Sequence, residues 1–146
     1  MEPSLTRKCF LRQLMNCQEI TNVHPSKFTL HSLSISRVYV QGYIRQRTST
    51  ELLLDDGTAV FSIDINAFQA RNQTPSRNEY PVGTYIILIG SIHAKKREQE
   101  QDGNIILHAH QIIPLTYAGP SIELYWMWEV IEYWQYIKRD RRLAIQ

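Results

Sequence analysis

Asp55 and Asp56 are adjacent carboxylates, and His108 and His110 stand two apart. These are the residue types from which acid–base or metal chemistry could be built. General acid–base work needs two groups that converge on one reacting atom. Neighbouring residues of a turn point apart, so both aspartates are expected to serve the turn Asp55-Asp56-Gly57-Thr58 instead. Two histidines at i, i+2 share one face of a strand and could offer two imidazoles to a metal. No cysteine, carboxylate or third histidine stands at matching local spacing, so no metal is expected. The six glycines (Gly42, Gly57, Gly83, Gly90, Gly103 and Gly119) are scattered and form no phosphate-cradling loop. No Gly-x-Ser-x-Gly elbow is present. The expectation is a protein without catalytic residues or cofactor.

A second group of residues suits nucleic acid. Single-strand binders combine a basic groove with aromatic platforms, and stacking contributes about 1–3 kcal/mol per base. Tyr39, Tyr43, Arg45 and Arg47 alternate along one stretch and could form such a face, with Lys95, Lys96 and Arg97 in a loop above it. Val60, Ser62 and Asp64 on the neighbouring strand stack nothing, however, and Asp64 repels phosphate. The loop bases are offset by Glu98, Glu100 and Asp102, and the whole chain carries only +2. Outward tyrosines are more often cross-strand packing. Direct DNA binding is therefore the alternative reading.

The third group is apolar and concentrated in one place. Ile122 to Ile137, IELYWMWEVIEYWQYI, holds all three tryptophans. At about 100° per residue, Ile122, Trp126, Val130, Tyr133 and Ile137 form one helical stripe, flanked by Met127 and Trp134. Leu124, Trp128 and Ile131 add a second apolar ridge. Trp126, Tyr133 and Trp134 alone represent about 450 Å² or more of aromatic surface. A monomer rarely exposes a patch beyond roughly 300–600 Å². Packing on its own domain is the plain alternative, but the stripe is expected to dock another chain. A homodimer would use the same stripe.

The elements that must carry these groups follow from pattern. With 146 residues, 43% hydrophobic and 21% charged, the chain suits one soluble domain. No membrane span or secretory signal is evident, and an Asn72-Gln73-Thr74 sequon is attributed to chance. Cys9 and Cys17, if helical, lie about 12 Å apart, too far for a disulfide. Free thiols fit a reducing compartment. Residues 1–34 are read as a helix over Thr6–Cys17 followed, after Pro25, by an isolated strand or lead-in at Lys27–His31. Residues 35–116 contain five strands, near Arg37–Arg47, Glu51–Leu54, Ala59–Ile65, Tyr85–Ala94 and Ile105–Pro114. A polar segment over 66–81, with one helical turn near Phe68, and a charged loop over 95–104 interrupt them. Five strands so spaced suggest an oligonucleotide-binding (OB) barrel, with an SH3-like barrel or a split sheet as the alternatives. Residues 120–146 carry the terminal helix, with Ser121 as N-cap. The fold class expected is all-β with flanking helices: a five-stranded OB barrel, a short N-terminal helix and a C-terminal partner-binding helix.

Taken together, VYVQGYI, LLLDDGTAVFSI, YPVGTYIILIGSI, ILHAHQIIPL and the tryptophan helix resemble the RecQ-mediated genome instability protein 2 family. LTRKCFLRQL is similar to that family's short leading helix, and the likeness runs from about Thr6 to Trp134. The resemblance implies an OB subunit similar to the middle subunit of replication protein A. It would pair, helix against helix, with a sister OB protein of the RecQ-mediated genome instability protein 1 type. The pair would belong to a nuclear complex of a Bloom-type helicase and a type IA topoisomerase that dissolves double Holliday junctions. It also implies that DNA contact is indirect, that Lys8 supports complex formation, and that Trp126 docks a peptide of a Fanconi anaemia translocase. One departure is Gln111, where a family member has lysine.

Overall fold

The computed structural model describes residues 6–20, 27–71, 80–94, 105–115, 119 and 121–145, the side chains of Arg71 and residues 141–145 excepted. The chain divides into two compact units, 1–116 and 117–146.

In the first unit, β5 (Arg37–Arg47) is the longest strand. Its alternation buries Val38, Val40 and Ile44 and leaves Tyr39 and Tyr43 half-exposed. From Arg37 to Tyr43 it pairs antiparallel with β8 (Tyr85–Ala94), and from Tyr43 to Arg47 with β6 (Glu51–Asp55). Tyr43 faces Tyr85 on one side and Asp55 on the other. The sheet continues antiparallel from β6 to β7 (Val60–Asp64), parallel from β7 to β9 (Ile105–Pro114), and antiparallel back to β8. The β7–β9 seam is narrow: Ile63 opposes Leu107 and Asp64 opposes His108. Because β5 also pairs with β8, the five strands close into the expected OB barrel. Leu52, Leu54, Ile63, Ile86, Leu88 and Leu107 fill it.

Closure demands a glycine where β5 changes partner. A Cβ on Gly42 would stand 2.6 Å from the Asp55 carbonyl oxygen, closer than backbone atoms tolerate. On the neighbouring strand β8, a Cβ on Gly90 would meet the His108 carbonyl oxygen at 2.7 Å, beside the register shift at Ile89/Gly90.

The two aspartates build the turn as expected. Asp55 Oδ1 accepts from the Gly57 amide at 2.8 Å, and Asp56 Oδ1 accepts from the Thr58 amide at 2.9 Å and its hydroxyl at 2.6 Å. Gly57 holds φ 89°, where glycine costs least.

The N-terminal reading needs correction. Thr6–Cys17 is not one helix: Thr6–Lys8 is strand β1, parallel to β5, and only Leu11–Met15 is helical (α1). Gln18–Ile20 is strand β2. Lys8 therefore lies on a strand opposite Tyr39. The helical period is met only by Leu11 and Leu14, both buried, while Thr6–Lys8 gains ladder bonds along β5. Arg7 is itself buried, its Nε donating to the Ser34 carbonyl at 2.8 Å. A five-residue helix is too short to persist alone. The barrel turn holds it: the Leu11 amide donates to Asp56 Oδ2 at 2.8 Å and the Arg12 amide to Thr58 Oγ1 at 3.2 Å. Asp56→Ala removes this cap together with the turn bonds, and is expected to cost about 1–3 kcal/mol in a urea titration.

Lys27–Leu30 (β3) is not isolated either; it is the centre of a three-stranded sheet between β2 and β4 (Leu33–Ile35). His31 and Ser32, at φ 52° and 65°, make the two-residue turn between β3 and β4. Cys9 and Cys17 are both free. Burial pushes the Cys17 thiol up to about 11 and the Cys9 thiol still higher, so neither is a nucleophile at neutral pH. Asn66–Arg71 forms a short helix, α2, which buries Phe68.

The second unit is α3, Ile122–Ile145. It starts at Ser121, whose carbonyl accepts the Tyr125 amide at 3.1 Å, and runs to Ile145, within the expected 120–146, through residues that favour helix. Among the described residues, no helix is long and apolar enough to cross a membrane.

Candidate partner interface and nucleic-acid face

Two apolar ridges run along α3, and they differ sharply in burial. Trp126, Val130 and Trp134, at i, i+4 and i+8, are 2%, 0% and 7% exposed. Ile122, Tyr133 and Ile137 are half-buried. About 130° around the helix, Leu124, Trp128, Ile131 and Gln135 share an arc of roughly 60° with Met127 at its edge. Leu124, Met127, Trp128 and Ile131 are between 45% and 67% exposed, and Tyr125 and Tyr136 beside them are 69% and 70% exposed. The three open aromatics leave roughly 300–500 Å² in water. That alone reaches the size of a patch that marks an interaction site. Leu124, Met127, Trp128 and Ile131 are therefore the exposed ridge, while Trp126, Val130 and Trp134 are buried. Of the expected stripe, Met127 is exposed, Ile122, Tyr133 and Ile137 are half-buried, and Trp126, Val130 and Trp134 are buried. Gln111 is exposed on β9, and Lys8 is half-buried on β1.

The tyrosine–arginine face is spent on internal contacts. The Tyr43 ring meets Tyr85 edge to face, centroids 4.9 Å apart, and the Arg45 guanidinium lies 5.3 Å from the Tyr43 ring. Arg45 Nε donates to Asp55 Oδ2 at 2.9 Å. Arg47 donates to the Tyr80 carbonyl at 3.1 Å, with its guanidinium 5.8 Å from that ring. The Tyr39 hydroxyl accepts from Gln41 Nε2 at 3.4 Å. Tyr43 and Arg45 stand together; Arg47 belongs to the Tyr80 end of the strand. A phosphate would have to displace Asp55 from Arg45. Lys95, Lys96 and Arg97 lie outside the described residues.

The Gly57 amide first, and Arg45 second, hold the Asp55 carboxyl below the usual carboxylate range. A carboxylate so lowered stabilises the fold above its unfolded pKa, and that contribution fades as pH falls through the lowered value. Asp55→Asn is accordingly expected to cost about 1 kcal/mol at pH 7 and to match the unsubstituted chain near pH 2, as read from urea midpoints.

One cluster was only half-visible in the sequence, through His108 and His110. Ser91 Oγ sits 2.9 Å from His93 Nε2 and 2.8 Å from His110 Nε2. The His93 and His108 rings meet edge to face at 4.4 Å, and His108 Nδ1 lies 3.9 Å from Asp64 Oδ2. A serine hydrogen-bonded to histidine begins a nucleophilic relay, but the carboxylate would have to orient that same histidine. Here Asp64 faces His108, which is not bonded to Ser91. Among the described residues, no group of three or more histidine, cysteine, aspartate or glutamate side chains is placed to hold a metal ion.

Comparison with known proteins agrees with this geometry. The sequence profile of the RecQ-mediated genome instability protein 2 family matches residues 5–134, barrel and the first half of α3 together. The chain belongs to that family. A search of curated proteins found no match. Among solved structures, a chain of the S. pombe Stn1–ten1 complex is similar at TM-score 0.73 and 14% identity, with 97% of this chain and 99% of that one covered. A chain of a replication protein A heterotrimer bound to ssDNA is similar at TM-score 0.63 and 14% identity, covering 88% and 93%. A chain of yeast RPA bound to ssDNA is similar at TM-score 0.63 and 15% identity, covering 90% and 91%. At these identities the likeness establishes the OB fold. The chain thus shares its fold with chains of the Stn1–ten1 and replication protein A structures.

Proposed function

We propose that this chain is a non-catalytic OB subunit that pairs with a second OB protein through α3. The observation that carries the proposal is the open ridge of Leu124, Trp128 and Ile131, more apolar surface than an isolated helix face keeps in water. The likeness to subunits of a Stn1–ten1 complex and of a replication protein A heterotrimer supports an OB-fold partner. Family membership supports the finer reading. The partner is of the RecQ-mediated genome instability protein 1 type, and the pair stabilises a nuclear helicase–topoisomerase complex that dissolves recombination intermediates. Lys8, on β1, would act at the edge of that assembly.

Direct single-strand binding, as in a replication-protein-A-like or telomere complex, draws on the two ssDNA-bound neighbours. The internal commitment of Tyr43, Arg45 and Arg47 weighs against it. The test is co-expression with such an OB partner, followed by a labelled oligo-dT titration of the chain alone and of the pair. The proposal expects a one-to-one complex and little binding by the chain alone. Micromolar, salt-sensitive affinity of the lone chain for oligo-dT would favour the alternative.

A further inference from the structure

The outer face of the barrel where β7, β8 and β9 meet holds three imidazoles, two of them joined by one hydroxyl and the third in ring contact with His93. Ser91 Oγ carries a single hydrogen, yet it lies within bonding distance of two ring nitrogens, His93 Nε2 and His110 Nε2. A hydroxyl can donate once and accept twice. Both nitrogens cannot be acceptors, so at least one ring must carry its proton on Nε2. The neutral arrangement that also uses Ser91's own hydrogen has Ser91 donate to one ring and accept from the other, which sets opposite tautomers. Protonating the accepting ring turns its Nε2 into a donor. Ser91 then accepts from both, and its own hydrogen turns outward to water. The first proton is thus taken up with both contacts kept. A second would place two cations no further apart than the sum of the two contact distances, with His108 in ring contact with His93.

We propose that Ser91 couples His93 and His110 into one titrating unit that accepts a single proton readily and resists the second, with His108 and Asp64 linking that unit to the barrel seam. The surrounding charges fit. Arg37 of β5 stands opposite Ser91 and opposes added protons. Asp64 of β7 faces His108, and Glu51 of β6 stands opposite Asp64 in register. α2, packed on β9, brings Asn66 and Gln69 but no carboxylate. Burial first, and His108 second, hold His93 below the usual imidazole range. A base lowered in the folded state loses stability as pH falls, so acid loosens this face.

The test is a histidine NMR titration of the full chain, reading tautomer and protonation at each ring nitrogen. The expected result is opposite tautomers for His93 and His110 at high pH. Two coupled steps should then follow, separated by about one pH unit or more. Ser91→Ala should bring the two steps together, and His108→Gln should raise the His93 midpoint. The tautomer reading needs no variant, so a Ser91→Ala chain that fails to fold leaves the test standing. The same Nε2-protonated tautomer on both rings, or independent single-step titrations, would overturn the proposal.

Discussion

Replacing Leu124 with alanine and Trp128 with glutamate in one chain is expected to abolish partner association while leaving the chain's own unfolding midpoint unchanged. Both side chains are exposed, so neither contributes to the chain's own packing, and a charge at the centre of an apolar ridge cannot be desolvated without cost. Central aromatic and aliphatic anchors commonly contribute 2 kcal/mol or more each, so the pair should weaken Kd by about a thousandfold. Isothermal titration with the OB partner reads the loss, and differential scanning calorimetry reads the unchanged fold. Trp126→Ala serves as the contrast. That side chain is fully shielded, so its truncation should cost about 3–5 kcal/mol of the chain's own stability before any partner is added. A ridge variant that unfolds, or a Trp126 variant that keeps full stability, would reverse the assignment of the two ridges.

Gly42→Ala is expected to be the most damaging single methyl in the barrel. The new Cβ would stand 2.6 Å from the Asp55 carbonyl oxygen and 2.9 Å from its carbon, both backbone atoms held by the turn that also caps α1. Relief requires β5 and β6 to separate where β5 leaves β8, which costs about 3 kcal/mol. For a chain of this length that corresponds to a fall in Tm of about 6–12 °C. Gly119→Ala meets nothing within 4 Å and is the neutral control. A Gly42→Ala chain with a Tm within 2 °C of the unsubstituted chain would contradict the account of closure.

The barrel was legible because its strands are long enough to show a period of two. Val38, Val40 and Ile44 alternate with Tyr39 and Tyr43, and the Asp-Gly turn marks the β6–β7 hairpin without ambiguity. The N-terminal region was not legible, since three-residue strands such as Thr6–Lys8 are too short to display a period and Arg7 is buried against expectation. Its parallel pairing with β5 depends on a contact thirty residues away, which no local pattern encodes. On α3 the periodicity was read correctly, but a helix with two apolar ridges does not announce which one stays open. That depends on tertiary packing, and Trp126 and Trp128 are equally good candidates by composition. The histidine cluster was half-visible: His108 and His110 were noted, while His93 joins them only through the β8–β9 register and its shift at Ile89/Gly90.

The most direct measurement of the proposed role is affinity purification of the tagged chain at its natural expression level, beside the Trp128→Glu variant, with bound proteins identified by mass spectrometry and the complex sized by light scattering. The account predicts a second OB-fold protein at one-to-one stoichiometry with the unsubstituted chain and its loss with Trp128→Glu at unchanged Tm. Recovery of that protein equally with both chains, or a homodimer in its place, would contradict it.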